Sequence, residues 1–284
     1  MEKSILAILK SKYPALSEKE KKVAAYLLTQ PDQVPEMTIG ELSIVTGLAP
    51  SGIVRLCKNL GFSGFAEVKR NLLKIPFTII PKIAPSDDVG EMVQKVFESG
   101  IRSLEDTLSM MDMSLMRTAA DLLYRANSIH FFGVGTSATI AQDAYYRFMR
   151  IGFPAHSEVD SHIMQIAAAE MQQGDAAVAI SHCGATMDTL DALRTAKEHG
   201  AATIAITSAQ DSPIAALADV TLVVYSDEVH YPIEAVSARI AHIAVLDALC
   251  VILSMRDPER TSLHIRQMNM LFKKKRVQKK WGRL

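Results

Sequence analysis

The sequence predicts an α/β protein in two parts: an all-α head, then a body built on a doubly wound parallel sheet. Three observations predict it. Residues 1–75 carry short apolar stripes at helical spacing behind capping pairs. Four apolar runs between residues 129 and 224 alternate with helical patterns. Charge is also sorted along the chain. The 284 residues hold 31 Lys+Arg and 31 Asp+Glu, yet residues 1–75 carry 11 basic and 7 acidic side chains, residues 76–255 carry 10 and 22, and residues 256–284 carry 10 and 2. A basic head and tail attract a polyanion, whereas an acidic body repels one.

Composition narrows the class. A chain with 49% hydrophobic and 22% charged residues is globular. No uninterrupted apolar run approaches the roughly 18 residues of a membrane span, and the start Met-Glu-Lys-Ser-Ile-Leu lacks a signal-peptide core. A cytoplasmic protein with no membrane partner is expected. Cys57, Cys183 and Cys250 are far apart and form no CxxC pair, so no metal site is expected. The sequences HExxH, GxSxG and GxxxxGK[ST] are absent.

In the head, Ser17 with Glu20 and Thr38 with Glu41 form capping boxes. Behind the first, Val23, Ala24, Leu27 and Leu28 make an apolar stripe that Pro31 ends. Behind the second lie Ile39, Leu42 and Val45, and Gly47 ends that helix. Pro50 opens a third helix burying Ile53, Leu56, Cys57 and Leu60, with Gly61 after it. Ser63 caps a fourth, which carries Val68 and Leu72. Helices two and three are joined by a short connection containing Gly47, as in a helix-turn-helix. The outer face of the third helix holds Ser51, Gly52, Arg55, Lys58 and Asn59. Short and basic side chains there suit a helix whose N-terminal end meets base edges in a major groove of double-stranded DNA.

The run Gly47-Leu-Ala-Pro-Ser-Gly-Ile-Val-Arg-Leu-Cys-Lys-Asn-Leu-Gly-Phe-Ser-Gly-Phe65 closely resembles the N-terminal domain of the RpiR family of bacterial transcription regulators. The resemblance covers about residues 1–75. The family often has Ser where Ala49 stands and Thr where Gly52 stands. Ala49 removes a helix cap, and Gly52 within a helix costs about 1 kcal/mol against alanine.

Pro76, Pro81 and Pro85 mark residues 76–88 as a semi-stiff linker. Helical spacing resumes over Val89–Leu108 (Met92, Val96, Phe97) and Leu115–Leu123. Buried-strand runs follow at Ile129–Phe132, Ala176–Ile180, Ala202–Ile206 and Val220–Val224, with a further short strand near Phe153–His156. A long final helix lies near Ser237–Met255. Ligands in such sheets bind beyond the carboxyl ends of the strands. The loops there are rich in Gly, Ser and Thr: Gly135, Thr136 and Ser137, then Ser181, Cys183, Gly184 and Thr186. Their amides and hydroxyls suit a phosphate. Gly133-x-Gly135 lacks the third glycine of a dinucleotide fingerprint, so no NAD site or other cofactor is expected.

Gly133-x-Gly135-Thr136-Ser137, Ala179-Ile180-Ser181-x-Cys183-Gly184-x-Thr186, Ile204-Ala205-Ile206-Thr207-Ser208 and Asp211-Ser212-Pro213-Ile214 resemble the sugar isomerase (SIS) domain, a phosphosugar-binding α/β module. The match spans about residues 110–255. The resemblance implies that Ser181, Gly184 and Thr186 hold the phosphate. Cys183 stands where the family usually has serine, and a thiol is a weaker, bulkier donor.

Isomerising a sugar phosphate needs a base, for which Glu234, His230 and His182 are candidates. Glu234 is also a candidate ligand contact. In regulators that fuse the two domains, the resemblance implies that the sugar domain senses without turnover. The expected organisation is a DNA-binding domain at 1–75, a linker at 76–88, a phosphosugar-binding domain at 89–255 and a basic tail at 256–284. The expected activity is non-enzymatic regulation of carbohydrate metabolism by a homodimer or homotetramer, dimerised through the long final helix. The alternative is a sugar-phosphate isomerase-type enzyme with a helical appendage.

Overall fold

The computed structural model describes residues 5–13, 16–31, 33–73, 83, 84, 86–226 and 236–273. Contacts group the chain into two units. One comprises residues 1–111, 208–211 and 223–241; the other comprises 112–207, 212–222 and 242–284.

The first unit begins with five helices: α1 (Ile5–Lys12), α2 (Glu18–Thr29), α3 (Ile39–Thr46), α4 (Pro50–Asn59) and α5 (Phe65–Leu73). Both expected capping boxes are present: Ser17 and Thr38 each accept the amide of a glutamate whose carboxylate returns to the cap amide. Gly47 takes φ 71° and its N–H reaches the Ser43 carbonyl, so α3 stops there. The axes of α3 and α4 turn by 97° across this break, within the range of a helix-turn-helix. The core comprises Ile5, Leu9, Val23, Ala24, Leu27, Leu42, Leu48, Ile53, Leu56, Cys57, Leu60, Val68 and Leu72, with Val34 and Phe65. Burial pushes the Cys57 thiol up to about 11.

Two expectations for the head change. The sequence showed four helices, and α1 is a fifth. Val45 is exposed, not part of the α3 core; Thr46 is buried in its place and donates to the Leu42 carbonyl at 2.7 Å. Further along the same unit runs the 22-residue α6 (Val89–Met110), opened by a capping box from Asp88 and Glu91.

In the second unit, α7 (Met113–Arg125) leads into β1 (Ile129–Phe132). Then come α8 (Thr136–Arg150), β2 (Ala155–Glu158), α9 (Ser161–Glu170), β3 (Ala176–Ile180), α10 (Met187–Glu198), β4 (Ala202–Thr207), α11 (Pro213–Leu217) and β5 (Val220–Val223). The sheet order is β2-β1-β3-β4-β5, with parallel registers such as Phe131↔Ser157, Phe131↔Val178 and Val178↔Ile204. Consecutive residues serve opposite faces. Phe131 meets Phe148 of α8 edge-on at 5.1 Å, whereas Phe132 joins Met164, Ala168, Leu190 and Leu193 of α9 and α10. Helices therefore cover both faces, which is the expected doubly wound fold. The edge strand lies two residues later than expected.

The chain closes with α12 (Val236–Arg256) and α13 (Pro258–Lys273). Residues 237–256 have the length and composition to cross a membrane. They also bury Ala238, Ala241, Val245, Leu246, Leu249 and Leu253 along one stripe, the pattern of a core helix. The basic segment opens as a helix. Its residues 258–273 are helical, and Arg260 donates to the Gly152 carbonyl while lying 4.5 Å from the Phe153 ring centre. The Lys274–Arg276 and Lys279-Lys280 clusters and Trp281 lie outside the described residues, as do Pro76, Pro81 and Pro85 of the linker.

Candidate functional site

Strand order reverses between β1 and β3, so the loops leaving these neighbours diverge and open a crevice at their carboxyl ends. The loop after β1 contains Gly133, where a Cβ would lie 2.8 Å from the Ser137 carbonyl oxygen. Only glycine permits that approach. Gly135 has φ 62° and precedes the first residue of α8, Thr136. Gly135 and Thr136 are exposed and Ser137 is half-buried, so all three are accessible at the helix N-terminus.

The loop after β3 is more fully built. The Ser181 hydroxyl, buried, accepts the Gly184 amide at 3.1 Å and lies 3.3 Å from the Thr186 hydroxyl. Gly184 has φ 65°, and a Cβ there would lie 2.1 Å from Ser212 Oγ. The loop can close this tightly only without a side chain at 184. The Gly184 carbonyl accepts the Ile214 amide, tying the loop to α11. Thr207, at the end of β4, donates to the His182 carbonyl at 3.2 Å.

Cys183 stands exposed at the tip. The Ala185 amide directed at its sulfur holds the thiol below its ordinary pKa, with help from Thr186 and Ser181 and against the effect of burial. Thr186 Oγ1 and Ser181 Oγ lie 3.8 and 3.9 Å from Sγ. These contacts stabilise the thiolate form of Cys183. The loops 133–137 and 181–186 contain no Lys, Arg, Asp or Glu. Ser181, Cys183, Gly184 and Thr186 are thus brought together, and the β1 loop emerges beside them. Ser212 was quoted only within the wider resemblance. Its hydroxyl is buried against Gly184 with no hydrogen-bond partner among the described residues, a contact no local spacing reveals.

Of the candidate bases, His182 is half-buried and its ring stands edge-to-face 6.2 Å from the buried His242 ring. Glu234 and His230 lie outside the described residues. Those residues contain no cluster of three or more metal-ligating side chains.

A second surface lies on α4. Ser51, Arg55, Lys58 and Asn59 are all exposed and Gly52 is half-buried, while Ile53, Leu56 and Cys57 face the core. Ala49 caps nothing with its side chain. A Cβ on Gly52 would lie 2.8 Å from Leu48 Cδ1, so glycine here makes room for the leucine in the turn. Lys12 donates to the Asn59 carbonyl and anchors the far end of α4.

Two family models match this chain, one in each part. Residues 3–75 match the model of the helix-turn-helix domain, rpiR family, and residues 122–252 match that of the SIS domain. An HTH-type transcriptional regulator of Caldanaerobacter subterraneus is 32% identical over 89% of this chain and 91% of its own length. The HTH-type transcriptional regulator RpiR of Escherichia coli K12 is 29% identical over 91% and 89%. Among solved structures, the Vibrio vulnificus NanR protein complexed with ManNAc-6P is 24% identical. It aligns with 96% of this chain and 99% of its own at a TM-score of 0.62, which is a likeness of fold.

Proposed function

We propose that this chain, which belongs to the RpiR family of helix-turn-helix transcription regulators with an SIS domain, senses a phosphorylated sugar and converts its level into occupancy of a DNA operator. One observation carries the sensing half. At the strand-order reversal, an amide and two hydroxyls converge on the exposed tip of the Ser181–Thr186 loop and favour negative charge there. A small dianion fits this neutral, preformed cradle. The NanR complex with ManNAc-6P supports the same ligand class.

On this reading Ser181, Gly184 and Thr186 hold the phosphate, and Gly135, Thr136 and Ser137 close the other wall. Cys183 tunes affinity, and Glu234 is the remaining candidate contact. The reading head is residues 1–75, joined by 76–88 to a sensing domain at 89–255 with a basic tail after it. Ser51, Gly52, Arg55, Lys58 and Asn59 face the major groove of the operator. Work on DNA places the protein in the cytoplasm. Ligand alters DNA affinity only by the difference in its affinity for the free and DNA-bound arrangements.

Sensing is favoured over turnover. A helix-turn-helix domain occupies residues 3–75, and the relatives that align with almost the whole chain are named transcriptional regulators. The test is a gel shift of the full chain on DNA flanking its gene, titrated with hexose, pentose and amino-sugar phosphates. A shift that one of these compounds changes, with no product formed, supports the proposal. Steady product formation supports the isomerase alternative.

A further inference from the structure

The helix α6 is gripped from outside at two levels. Near its start, Lys95 donates to Asp87 Oδ2 at 2.6 Å, and the two side chains are only 13% and 10% exposed. The same carboxylate oxygen accepts the Ala84 amide at 2.7 Å, and the Asp87 amide returns to the Ala84 carbonyl at 3.0 Å. Lys95 first and the Ala84 amide second hold the Asp87 carboxyl below its ordinary pKa. Asp88, next in sequence, caps the helix. The end of the linker is thus wound into a closed turn and tied to the second turn of α6. Two charges so little exposed tolerate only a narrow geometry, because breaking the pair leaves a charge poorly solvated and unpaired. The tie therefore sets the direction in which the linker meets the helix.

Nearer its end, α6 holds the chain that leaves β5. The buried Thr107 hydroxyl donates to the Tyr225 carbonyl at 2.9 Å and accepts the Tyr225 amide at 3.0 Å. Tyr225 lies two residues beyond β5, and the carboxyl ends of the strands are the ligand side of such a sheet. Lys95 and Thr107 are about 18 Å apart along one helix, and no proline interrupts it. The head, the described linker residues and α6 belong to one compact unit.

We propose that α6 is the lever through which the sensing domain moves the DNA-reading head, with the Asp87–Lys95 pair as its coupling to the linker. The signal that the lever carries rests on the sugar-sensing reading. A shift of the segment after β5 on ligand binding turns α6 through Thr107. The closed turn at 84–87 passes that movement to the linker, where an untied junction would lose it in a swivel.

The test uses the full chain and its variants Asp87→Asn, Lys95→Met, Lys95→Arg and Thr107→Val. Hydrogen exchange reads the tie. Amides between residues 84 and 92 should exchange at least about tenfold faster in Asp87→Asn and Lys95→Met, and at the wild-type rate in Lys95→Arg, which keeps the cation. Gel shifts on DNA flanking the gene, with and without hexose, pentose and amino-sugar phosphates, read the lever. Asp87→Asn, Lys95→Met and Thr107→Val should keep ligand-free DNA affinity within about threefold. They should also cut the ligand-induced change in that affinity at least about fivefold, whereas Lys95→Arg preserves it. Unchanged exchange in Asp87→Asn and Lys95→Met overturns the proposal. A responsive wild type whose variants respond equally overturns the lever alone. A wild type whose DNA affinity none of these compounds changes overturns the sensing reading, and the lever falls with it.

Discussion

The outer face of α4 and the loop after β3 both suit anions, and they do so by opposite means. On α4 the cationic groups are the exposed Arg55 and Lys58, carried on long side chains. In the loop no side chain is formally positive, and the donors are an amide and hydroxyls held by Gly184 and Ser181. Long exposed cations suit a polyanion, because they release counterions and tolerate sliding. A rigid cradle of neutral dipoles suits one small anion of fixed shape. Binding at the first should therefore fall steeply with salt, and binding at the second should not.

The sharpest way to break this comparison is Gly184→Ala. The new Cβ requires a strained positive φ and collides with Ser212. Sugar-phosphate affinity measured by calorimetry should fall more than about 100-fold, and thermal unfolding should reveal about 2–4 kcal/mol of lost stability. Next is Arg55→Ala, which should weaken operator binding by about 1–3 kcal/mol and flatten its salt dependence while leaving ligand affinity unchanged. Ser181→Ala should do the reverse. It strips the acceptor from the Gly184 amide, lowering ligand affinity about tenfold with no change in ligand-free DNA binding. If Arg55→Ala and Ser181→Ala each abolished both activities in folded protein, the comparison would fail.

The smallest effect belongs to Cys183. Its lowered pKa places the thiolate at lower pH than an ordinary cysteine, whereas burial raises Cys250 and Cys57. Iodoacetamide should therefore label Cys183 first as pH rises, and bound ligand should slow that labelling. Cys183→Ser should raise ligand affinity a few-fold by restoring a hydroxyl donor.

Much of this was legible in the sequence, for reasons that differ by element. The two capping boxes and Gly47 are local devices, and each formed where its residues stand. The strands β1 and β3 are buried on both faces, so their apolar runs gave their bounds without error. The edge strand β2 reads Ala-His-Ser-Glu, pairs on one side only and carries no apolar period, so its position slipped. The helix α13 is held by Arg260 against Gly152 and Phe153, contacts over 100 residues distant that basic composition concealed. Periodicity found the apolar face of α6 and of α3, but spacing alone does not say whether a face is buried. Val45 and Phe97 are both exposed, which their spacing did not show. In the site, the Ser181–Thr186 cluster was readable as a contiguous loop. The buried Ser212 hydroxyl beneath it depends on tertiary approach across 28 residues.

The most direct measurement of the central claim is calorimetric titration of the full chain with phosphorylated sugars, run with and without operator DNA. The account predicts that at least one compound binds, that its affinity differs between the two conditions, and that Ser181→Ala weakens it in both. Binding by none of the hexose, pentose or amino-sugar phosphates would contradict it, as would an affinity indifferent to DNA.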